Sequence, residues 1–441
     1  MFTMQSSSEG GRMIEKRDLI LLVGTNPLPN YVVAQFLKDE TAKIFLVHTD
    51  TTREIAHGLR NVLSDKETIC LVELESEWDA SKIGRNLGKM IKRSPDLKLH
   101  LNYTGGTKAM AVHVYQWVKE NCPDAWFSYL DARSHRLVYD NRREPSELLT
   151  EVVHIESIED LLKLHSYTPK PPKDKESPFP DANLMLANLI EDKLIHDFID
   201  FKNRILCSVY YSKDKNSWFD KKAKLQTHQS TTEIREFVAK GNREIADNNW
   251  LKELLVSFPP ENRIINEDGL LWEADDGASN KEVDSRVLKS VKDFLDGKWL
   301  EFHVYNVLRE LLAEKKEEGW LYGISLEATS GNDKEFELDI YAVKGYRLFG
   351  ISVTTADWYH AKSKAFEVIH RVRQIGGDEA KAMLIADIPH ETEDGKRNAL
   401  HLEKDVAFLS TGSEGAHFKV LGTEKWQTEE LKNELRGFLW D

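Results

Sequence analysis

Four apolar segments alternate with amphipathic segments in the first third of the chain. The apolar segments span residues 18–25, 43–49, 68–74 and 98–104, and polar residues bound each of them. This pattern is typical of strands buried on both faces, whereas the segments between them carry apolar residues at helical spacing. Two further apolar segments, WFSYLDA and RLVYD, are separated by a polar turn and predict a hairpin. The alternation predicts an α/β fold with an open, mostly parallel sheet and helices on both faces.

Small and polar residues follow three of the predicted strands, at positions 24–27, 48–51 and 102–108. Ligands of such sheets bind outside the carboxyl ends of the strands. In the TGGTK sequence at 104–108, two glycines allow close approach of a ligand, and the next helix directs its N–H groups and positive dipole end toward a phosphate. A lone TGG is more often only a turn, but three converging polar strand ends favour a phosphate-rich ligand. GxxxxGK[ST] and GxGxxG are absent, which argues against ATP hydrolysis and dinucleotide redox chemistry.

The chain from about 146 to 286 is polar and predominantly helical in its spacing. Five prolines between residues 169 and 180 predict an extended linker, and helical spacing follows over 183–257. A basic cluster, Lys221, Lys222 and Lys224, fits either the wall of a nucleic-acid channel or a solvated helix face. Because runs of charge are usually solvated, the second interpretation is favoured.

The last third combines a helix pair, a hairpin and an acidic pair. A helix breaks at Gly297, and a second helix carries Glu301 among apolar neighbours. FELDIYAVK and GYRLFGISVTT predict a hairpin whose first strand places Glu337 and Asp339 on one face. The helix AKSKAFEVIHRVRQI and the strand AKAMLIADI follow. DVAFLSTGSEGAHFKVLG then predicts two short strands before a terminal amphipathic helix.

Composition narrows the class of protein. The 441 residues suggest about three domains. A net charge of −14 argues against bulk-charge coating of nucleic acid but allows a local basic groove. Three scattered cysteines without a CxxC pair exclude a disulfide framework and a zinc finger. Residues 1–16 lack the apolar core of a signal peptide and predict a disordered tail, and no apolar run is long enough to span a membrane. We therefore expect a cytoplasmic protein without a membrane partner.

The segments GTNPLPN and LNYTGGTKAM resemble the CARF domain of type III CRISPR accessory proteins. The resemblance covers residues 17–145, with 146–286 as linker and helical middle domain. It implies a Rossmann-like domain and a homodimer whose paired loops bind a cyclic oligoadenylate, of which cyclic tetra-adenylate is the commoner ligand. Carried over by position, the implied ligand-binding residues are Thr25, Asn26, Thr49, Thr104, Gly105, Gly106, Thr107, Lys108 and Met110.

The last third is similar to the PD-(D/E)xK nuclease module that follows CARF in the same CRISPR proteins. GKWLEFHVYNVL and ELDIYAVKGYRLFGIS carry the similarity, which covers roughly 287–390 of a domain extending over 287–441. It implies a restriction-endonuclease-like α/β fold and a Mg²⁺ or Mn²⁺ ion held by Glu301, Glu337 and Asp339, since hard divalent cations prefer carboxylates. Such an ion polarises the scissile phosphate and lowers the pKa of the attacking water.

The chain departs from that family at the end of the second hairpin strand. Where the family has (D/E)xK, this sequence has Ser352, Val353 and Thr354. Ser352 stands for the second acid and would bind a metal weakly or through water, whereas Thr354 cannot supply the charge of the lysine. The implied catalytic set is Glu337, Asp339, Ser352 and a migrated lysine, Lys364.

The identity of the migrated group stays open at the level of sequence. Lys362 and His360 are alternatives, and Lys364 with Glu367 also fits an ordinary i, i+3 surface pair. The sequence supports a weak or inactive nuclease site as well as it supports a site in which a migrated lysine restores activity. Glu301, Glu337 and Asp339 also fit solvent-facing positions on their helix and strand.

Three functions are consistent with these features. The leading hypothesis is a cyclic oligoadenylate-activated, metal-dependent nuclease that cleaves DNA or RNA in CRISPR antiviral defence. A second is a catalytically degenerate sensor that binds nucleic acid or a partner protein, which the missing lysine motivates. A third is a ring nuclease in which the CARF loops themselves cleave the cyclic oligoadenylate.

Overall fold

The computed structural model describes residues 16–63, 68–91, 98–140, 145–206, 231–271, 290–314, 319–331, 335–356, 358–393, 397–411 and 417–440. The predicted N-terminal tail, apart from Lys16, and the basic cluster Lys221, Lys222 and Lys224 lie outside these residues. Within the described part of the chain, the named strands form two six-stranded sheets.

The first sheet confirms the prediction of a mostly parallel sheet that ends in a hairpin. Its strand order is β3-β2-β1-β4-β5-β6; the first five strands run parallel and β6 is antiparallel to β5. Leu22 pairs with Val47 and Leu21 with Asn102, so the carboxyl ends of β1, β2 and β4 lie at one edge. The strands are β1 (Arg17–Leu22), β2 (Thr41–His48), β3 (Ile69–Glu73), β4 (Leu99–Asn102), β5 (Trp126–Asp131) and β6 (Arg136–Tyr139).

Four helices cover the two faces of this sheet. They are α1 (Leu28–Phe36), α2 (Arg53–Val62), α3 (Ala80–Ile91) and α4 (Lys108–Asn121). Helices α3 and α4 bury one face, with Leu87 and Val114 packed against Ile20 of β1. Helices α1 and α2 bury the other face. Because β1 is covered on both faces, its apolar sequence is continuous rather than alternating.

The middle segment is helical, as predicted, but it also contributes a strand. After α5 (Leu149–Val152) and α6 (Ile158–Leu164), β7 (Tyr167–Pro169) pairs antiparallel with a strand of the second sheet. A proline fits this edge position because it has no N–H to donate. The following helices are α7 (Pro180–Glu191), α8 (Ile195–Phe201), a π-helical turn (Lys202–Leu206), α9 (Thr231–Asp247) and α10 (Asn249–Val256).

The second sheet contains the predicted acidic hairpin. Its order is β12-β11-β10-β9-β8-β7, with β9 and β10 antiparallel, and β10, β11 and β12 parallel. The strands are β8 (Leu321–Ser330), β9 (Glu335–Lys344), β10 (Arg347–Thr354), β11 (Lys381–Ala386) and β12 (Phe418–Leu421). A π-helical turn (Phe294–Lys298), α11 (Trp299–Ala313), α12 (Trp358–Gly376), α13 (Ala399–Thr411) and α14 (Thr428–Trp440) complete the chain.

The two halves share a hydrophobic core. Helix α11 and the middle helices cover one face of the second sheet. Helices α12 and α13 cover the other face and join the same buried cluster as α1 and α2 of the first domain. The two sheets are therefore connected through packed side chains as well as through the chain.

One predicted strand is wrong. The segment DVAFLS belongs to α13, and of the two predicted strands only FKVL, which is β12, is present. Ala399, Leu402 and Val406 are buried at spacings of three and four, which is the period of a helix face. A short apolar segment alone does not separate helix from strand, and this spacing begins before the segment used for the prediction.

Across the described helices, none combines the length and the apolar character needed to cross a bilayer.

Candidate functional site

The TGGTK loop after β4 is fixed by its own polar side chains. The Thr104 hydroxyl accepts a hydrogen bond from Leu130 N at 2.7 Å, and Thr104 N donates to the Asn102 side chain at 3.3 Å. Thr107 is the N-cap of α4, and its hydroxyl accepts from Met110 N at 3.2 Å. These bonds satisfy backbone donors at a strand end and a helix start, so the loop conformation is set within the first domain.

The two glycines of this loop lie against β1. A Cβ on Gly105 would stand 2.1 Å from the Leu22 carbonyl oxygen, which also accepts a hydrogen bond from the Asn30 side chain at 3.0 Å. Gly106 has φ +75°, in the left-handed region that favours glycine. Close packing on the strand thus requires the first glycine, and the turn requires the second, whatever the loop binds.

A cavity of about 310 Å³ opens beside this loop, and both domains line it. Its first-domain lining includes five of the nine predicted ligand-binding residues: Thr25, Asn26, Thr104, Gly105 and Gly106. Tyr346 and residues 376–379, at the end of α12 and just after it, close the cavity from the C-terminal domain that contains the second sheet. The sequence carried no signal for this second wall, because only tertiary packing brings it to the strand ends.

The other four predicted ligand residues have different surroundings. Thr49 is buried and takes part in a capping box with Thr52 before α2. Met110 is buried beneath Gly106. Thr107 and Lys108 are exposed at the start of α4. The predicted set is therefore divided between the cavity, the core below it and an exposed helix start.

The Asn26 side chain links this cavity to the middle segment. Asn26 Oδ1 accepts from Leu28 N at 3.1 Å and lies 3.3 Å from His165 Nε2, while His165 Nδ1 lies 3.0 Å from the Leu161 carbonyl oxygen. Burial lowers the pKa of His165 to about 4. The ring is therefore neutral in the folded protein near pH 7.

We expect His165 to make the protein less stable in mild acid. Its ordinary pKa is 6.5, so between pH 6.5 and pH 4 the unfolded chain binds a proton at this ring that the folded chain does not. The free energy of unfolding then falls as the pH falls, by at most about 1.4 kcal/mol per pH unit. In thermal unfolding at pH 7.5, 6 and 5, His165→Gln should flatten the fall in Tm, and the exposed-site control His57→Gln should not. Equal slopes for all three proteins would contradict this assignment.

A second, open cleft of about 520 Å³ brings together the three predicted metal ligands. Glu301 projects from the first turn of α11, and Glu337 and Asp339 project from β9, where Phe336, Leu338 and Ile340 point to the opposite, buried side. Glu337 is also exposed to solvent at this open cleft, so the alternative of solvent-facing acids stays open. Its lining also contains Thr354 and four lysines: Lys202, Lys292, Lys298 and Lys364.

Ser352 holds Asp339 in position. Ser352 is buried on β10, and its hydroxyl donates to Asp339 Oδ2 at 2.6 Å, while Val353 N donates to the same oxygen at 2.8 Å. These two hydrogen bonds fix the orientation of the Asp339 carboxylate. Ser352 thus acts on the neighbouring strand's acid, which is a different use from the metal ligand implied by the family pattern.

The three acids repel one another. Burial, together with the charges of Asp339 and Glu337, raises the pKa of Glu301 to about 7, against the opposing charge of Lys298 at 3.9 Å. A carboxyl group whose charge is disfavoured by its neighbours is stabilised when a cation arrives. Perturbed carboxyl groups in a cleft are typical of functional sites.

The three candidates for the migrated group, Lys364, Lys362 and His360, have different surroundings in the structure. Lys364 lines the cleft. Against the effect of burial, its pairing with Glu367 at 3.1 Å raises the pKa of its ammonium most, and the charges of Asp339 and Glu337 add to this. Lys362 instead pairs with Asp405 at 3.2 Å and lies over the Trp358 ring. His360 is exposed on the first turn of α12. Of the three, Lys364 is the one placed to act on the acids.

The oxygen donors of the cleft fit a hard divalent cation in chemical type. Among the described residues, no three His, Cys, Asp or Glu side chains are arranged to hold a metal ion as they stand. Three carboxylates nevertheless share one cleft, and oxygen donors are those that Mg²⁺ and Mn²⁺ prefer. The mutual repulsion at Glu301 is the feature that a cation would relieve.

The comparisons with known proteins agree with this architecture. Residues 19–157 match the Card1 CARF domain family, so the first domain is a CARF domain. No curated protein matches the chain. The solved structures that align along nearly the whole length of this chain include the following two. Can2 from Sulfobacillus thermosulfidooxidans in complex with cyclic tetra-adenylate has 16% identity and a TM-score of 0.58, covering 96% of this chain and 99% of that one. VC1899 from Vibrio cholerae has 14% identity and a TM-score of 0.57, covering 95% and 97%. At these identities the alignments show a shared fold.

Proposed function

We propose that this chain is a cyclic oligoadenylate-activated, metal-dependent nuclease that cleaves DNA or RNA in CRISPR antiviral defence. The observation that carries the proposal is the convergence of Glu301, Glu337 and Asp339, with lysines beside them, in one open cleft of a chain that also has a CARF domain. The likeness in fold to Can2, which was solved with cyclic tetra-adenylate, supports that ligand. The active unit in this proposal is a homodimer.

The proposed chemistry assigns a task to each group in the cleft. Glu301, Glu337 and Asp339 would hold Mg²⁺ or Mn²⁺, which when bound polarises a phosphate and lowers the pKa of a water molecule. Ser352 keeps the Asp339 carboxylate oriented through its 2.6 Å hydrogen bond. Lys364 supplies positive charge beside the acids, which is the contribution that Thr354 cannot make.

Helix α12 is the proposed connection between the ligand cavity and the cleft. Lys364 lines the cleft and Gly376 lines the cavity, twelve residues apart on one helix, or about 18 Å. Immediately after the helix, a Cβ on Gly377 would stand 2.6 Å from the Asn26 amide nitrogen, so helix end and ligand loop are in close contact. A ligand that displaces the Asn26 loop would then move the helix that carries Lys364.

The proposal is tested by cleavage assays on plasmid DNA, single-stranded DNA and single-stranded RNA. We expect cleavage in Mn²⁺ that cyclic tetra-adenylate stimulates at least about tenfold. Cyclic hexa-adenylate is the control for ring size, and light scattering with and without ligand tests the dimer. Absence of cleavage with every substrate, ligand and metal would contradict the nuclease proposal. Conversion of the cyclic ligand to linear products would instead support a ring nuclease.

A degenerate sensor is the second candidate, because Thr354 and Ser352 occupy the places of the family's lysine and second acid. In that case the three acids would have no catalytic role. The protein would bind cyclic tetra-adenylate and a nucleic acid or partner protein, and Asp339→Ala would leave the cellular phenotype unchanged. A nuclease with the same substitution would lose both cleavage and toxicity.

A further inference from the structure

The helical middle segment places a buried lysine in the acid cleft. Lys202 begins the π-helical turn after α8, and only 5% of its side chain is exposed. It nevertheless lines the same open cleft as Glu301, Glu337 and Asp339. No feature of the sequence distinguishes it from the other lysines of the middle segment, so the sequence pattern assigns it no role.

The ammonium group of Lys202 forms a long ion pair among the described residues and also interacts with the charge of the Asp387 carboxyl. Its ion pair is with Asp296 Oδ1 at a long 3.9 Å, and the other oxygen of that carboxylate pairs with Lys292 at 2.7 Å. A buried charge is costly unless it is closely paired. A nearly buried lysine that faces an open cleft with a long ion pair therefore suits an anion that arrives from solvent.

Lys202 lies near the end of β10 that carries Thr354, because its partner Asp296 is hydrogen-bonded to Thr355. Its charge acts on the Asp387 carboxyl, and Asp387 N donates to the Thr354 carbonyl oxygen at 3.0 Å. The positive charge of Lys202 is thus presented near the strand end where the family's lysine is missing.

Asp296 connects this lysine to the helix that carries Glu301. Asp296 lies in the π-helical turn directly before α11, and its carbonyl oxygen accepts a hydrogen bond from the Thr355 hydroxyl just after β10. The position of the Lys202 ammonium group is therefore set by α8, by the turn before α11 and by the end of β10. A side chain held in this way loses little conformational entropy when it binds a ligand.

We propose that Lys202 binds a backbone phosphate of the nucleic acid in the acid cleft, and so supplies from the middle segment a contact that Thr354 cannot make. This inference rests on the proposed function, because it takes nucleic acid as the occupant of the cleft. Its test is equilibrium binding, so it does not depend on turnover.

The experiment measures fluorescence anisotropy of a labelled 30-base-pair DNA duplex and a 30-nucleotide RNA with the full chain. The concentrations of Ca²⁺ and cyclic tetra-adenylate are held constant while the concentration of KCl is varied. Each lost phosphate contact lowers the slope of log Kd against log salt by about 0.9 for a duplex and about 0.7 for a single strand. We expect Lys202→Met to lower the slope by this amount and to weaken binding about tenfold at 0.1 M salt.

Three further variants make the result specific. Lys202→Arg should keep the wild-type slope, since it keeps the charge. Lys240→Met, at an exposed lysine of α9, should also keep it. Lys202→Gln is the second test variant if the methionine variant unfolds.

The outcomes separate the two proposals. An unchanged slope for Lys202→Met and Lys202→Gln, with wild-type binding intact, would overturn the role of Lys202 and leave the proposed function standing. A wild-type protein that binds neither probe would overturn the nucleic-acid part of the proposed function, and the role of Lys202 with it.

Discussion

Asp339→Asn is expected to lower nucleic-acid cleavage at least about 100-fold, which corresponds to about 2.7 kcal/mol of transition-state stabilisation. Asp339 Oδ2 accepts hydrogen bonds from Ser352 Oγ and Val353 N, and the carbonyl oxygen of asparagine can accept both. The fold and the packing of β9 on β10 are therefore retained. What is lost is one negative charge and one oxygen donor in the cleft.

The measurement is the initial rate of cleavage in Mn²⁺ with saturating cyclic tetra-adenylate, together with the affinity for that ligand. Glu335→Gln is the matched control, because Glu335 is on the same strand and face but is exposed and pairs with Lys170 at 3.1 Å. We expect Glu335→Gln to cleave as the wild type does and both variants to bind ligand normally. If Asp339→Asn cleaved nucleic acid as fast as the wild type, the Asp339 carboxylate would not be required for the reaction.

Sequence patterns predicted those features that depend on local chemistry. The run LILL is apolar at every position because β1 is covered on both sides, and this alone indicates a central parallel strand. The acidic pair at 337 and 339 is separated by one buried leucine, so the strand period places both carboxylates together. Both inferences needed only neighbouring residues.

What was missed depends on packing between distant segments. Lys202 enters the cleft because α8 packs beside the turn before α11. Tyr346 lines the cavity beside the TGGTK loop because the two sheets share a hydrophobic core. Thr107 and Met110 share a short segment with the TGG sequence, yet one caps α4 and the other fills the core. A motif identifies residues that act together without stating which of them face the ligand.

Gly105→Ala is expected to lower affinity for cyclic tetra-adenylate at least about 100-fold and to destabilise the protein by about 1–3 kcal/mol. The new methyl group would stand 2.1 Å from the Leu22 carbonyl oxygen and 3.1 Å from the Asn30 side chain. Because the first of these atoms is strand backbone, the methyl group cannot be accommodated by a side-chain rotation. The loop must move away from β1, and Thr104 and Gly106 of the cavity wall move with it.

Calorimetric titration with cyclic tetra-adenylate and thermal unfolding together test this expectation. Gly88→Ala is the matched control, since Gly88 lies within α3 and its added methyl group would meet the Trp117 ring at an ordinary 3.9 Å. Alanine is favoured over glycine inside a helix by about 0.5–1 kcal/mol, so this control should raise Tm slightly and leave ligand affinity unchanged. If Gly105→Ala retained both the wild-type Tm and the wild-type affinity, the close packing of the loop on β1 would not be what shapes the ligand site.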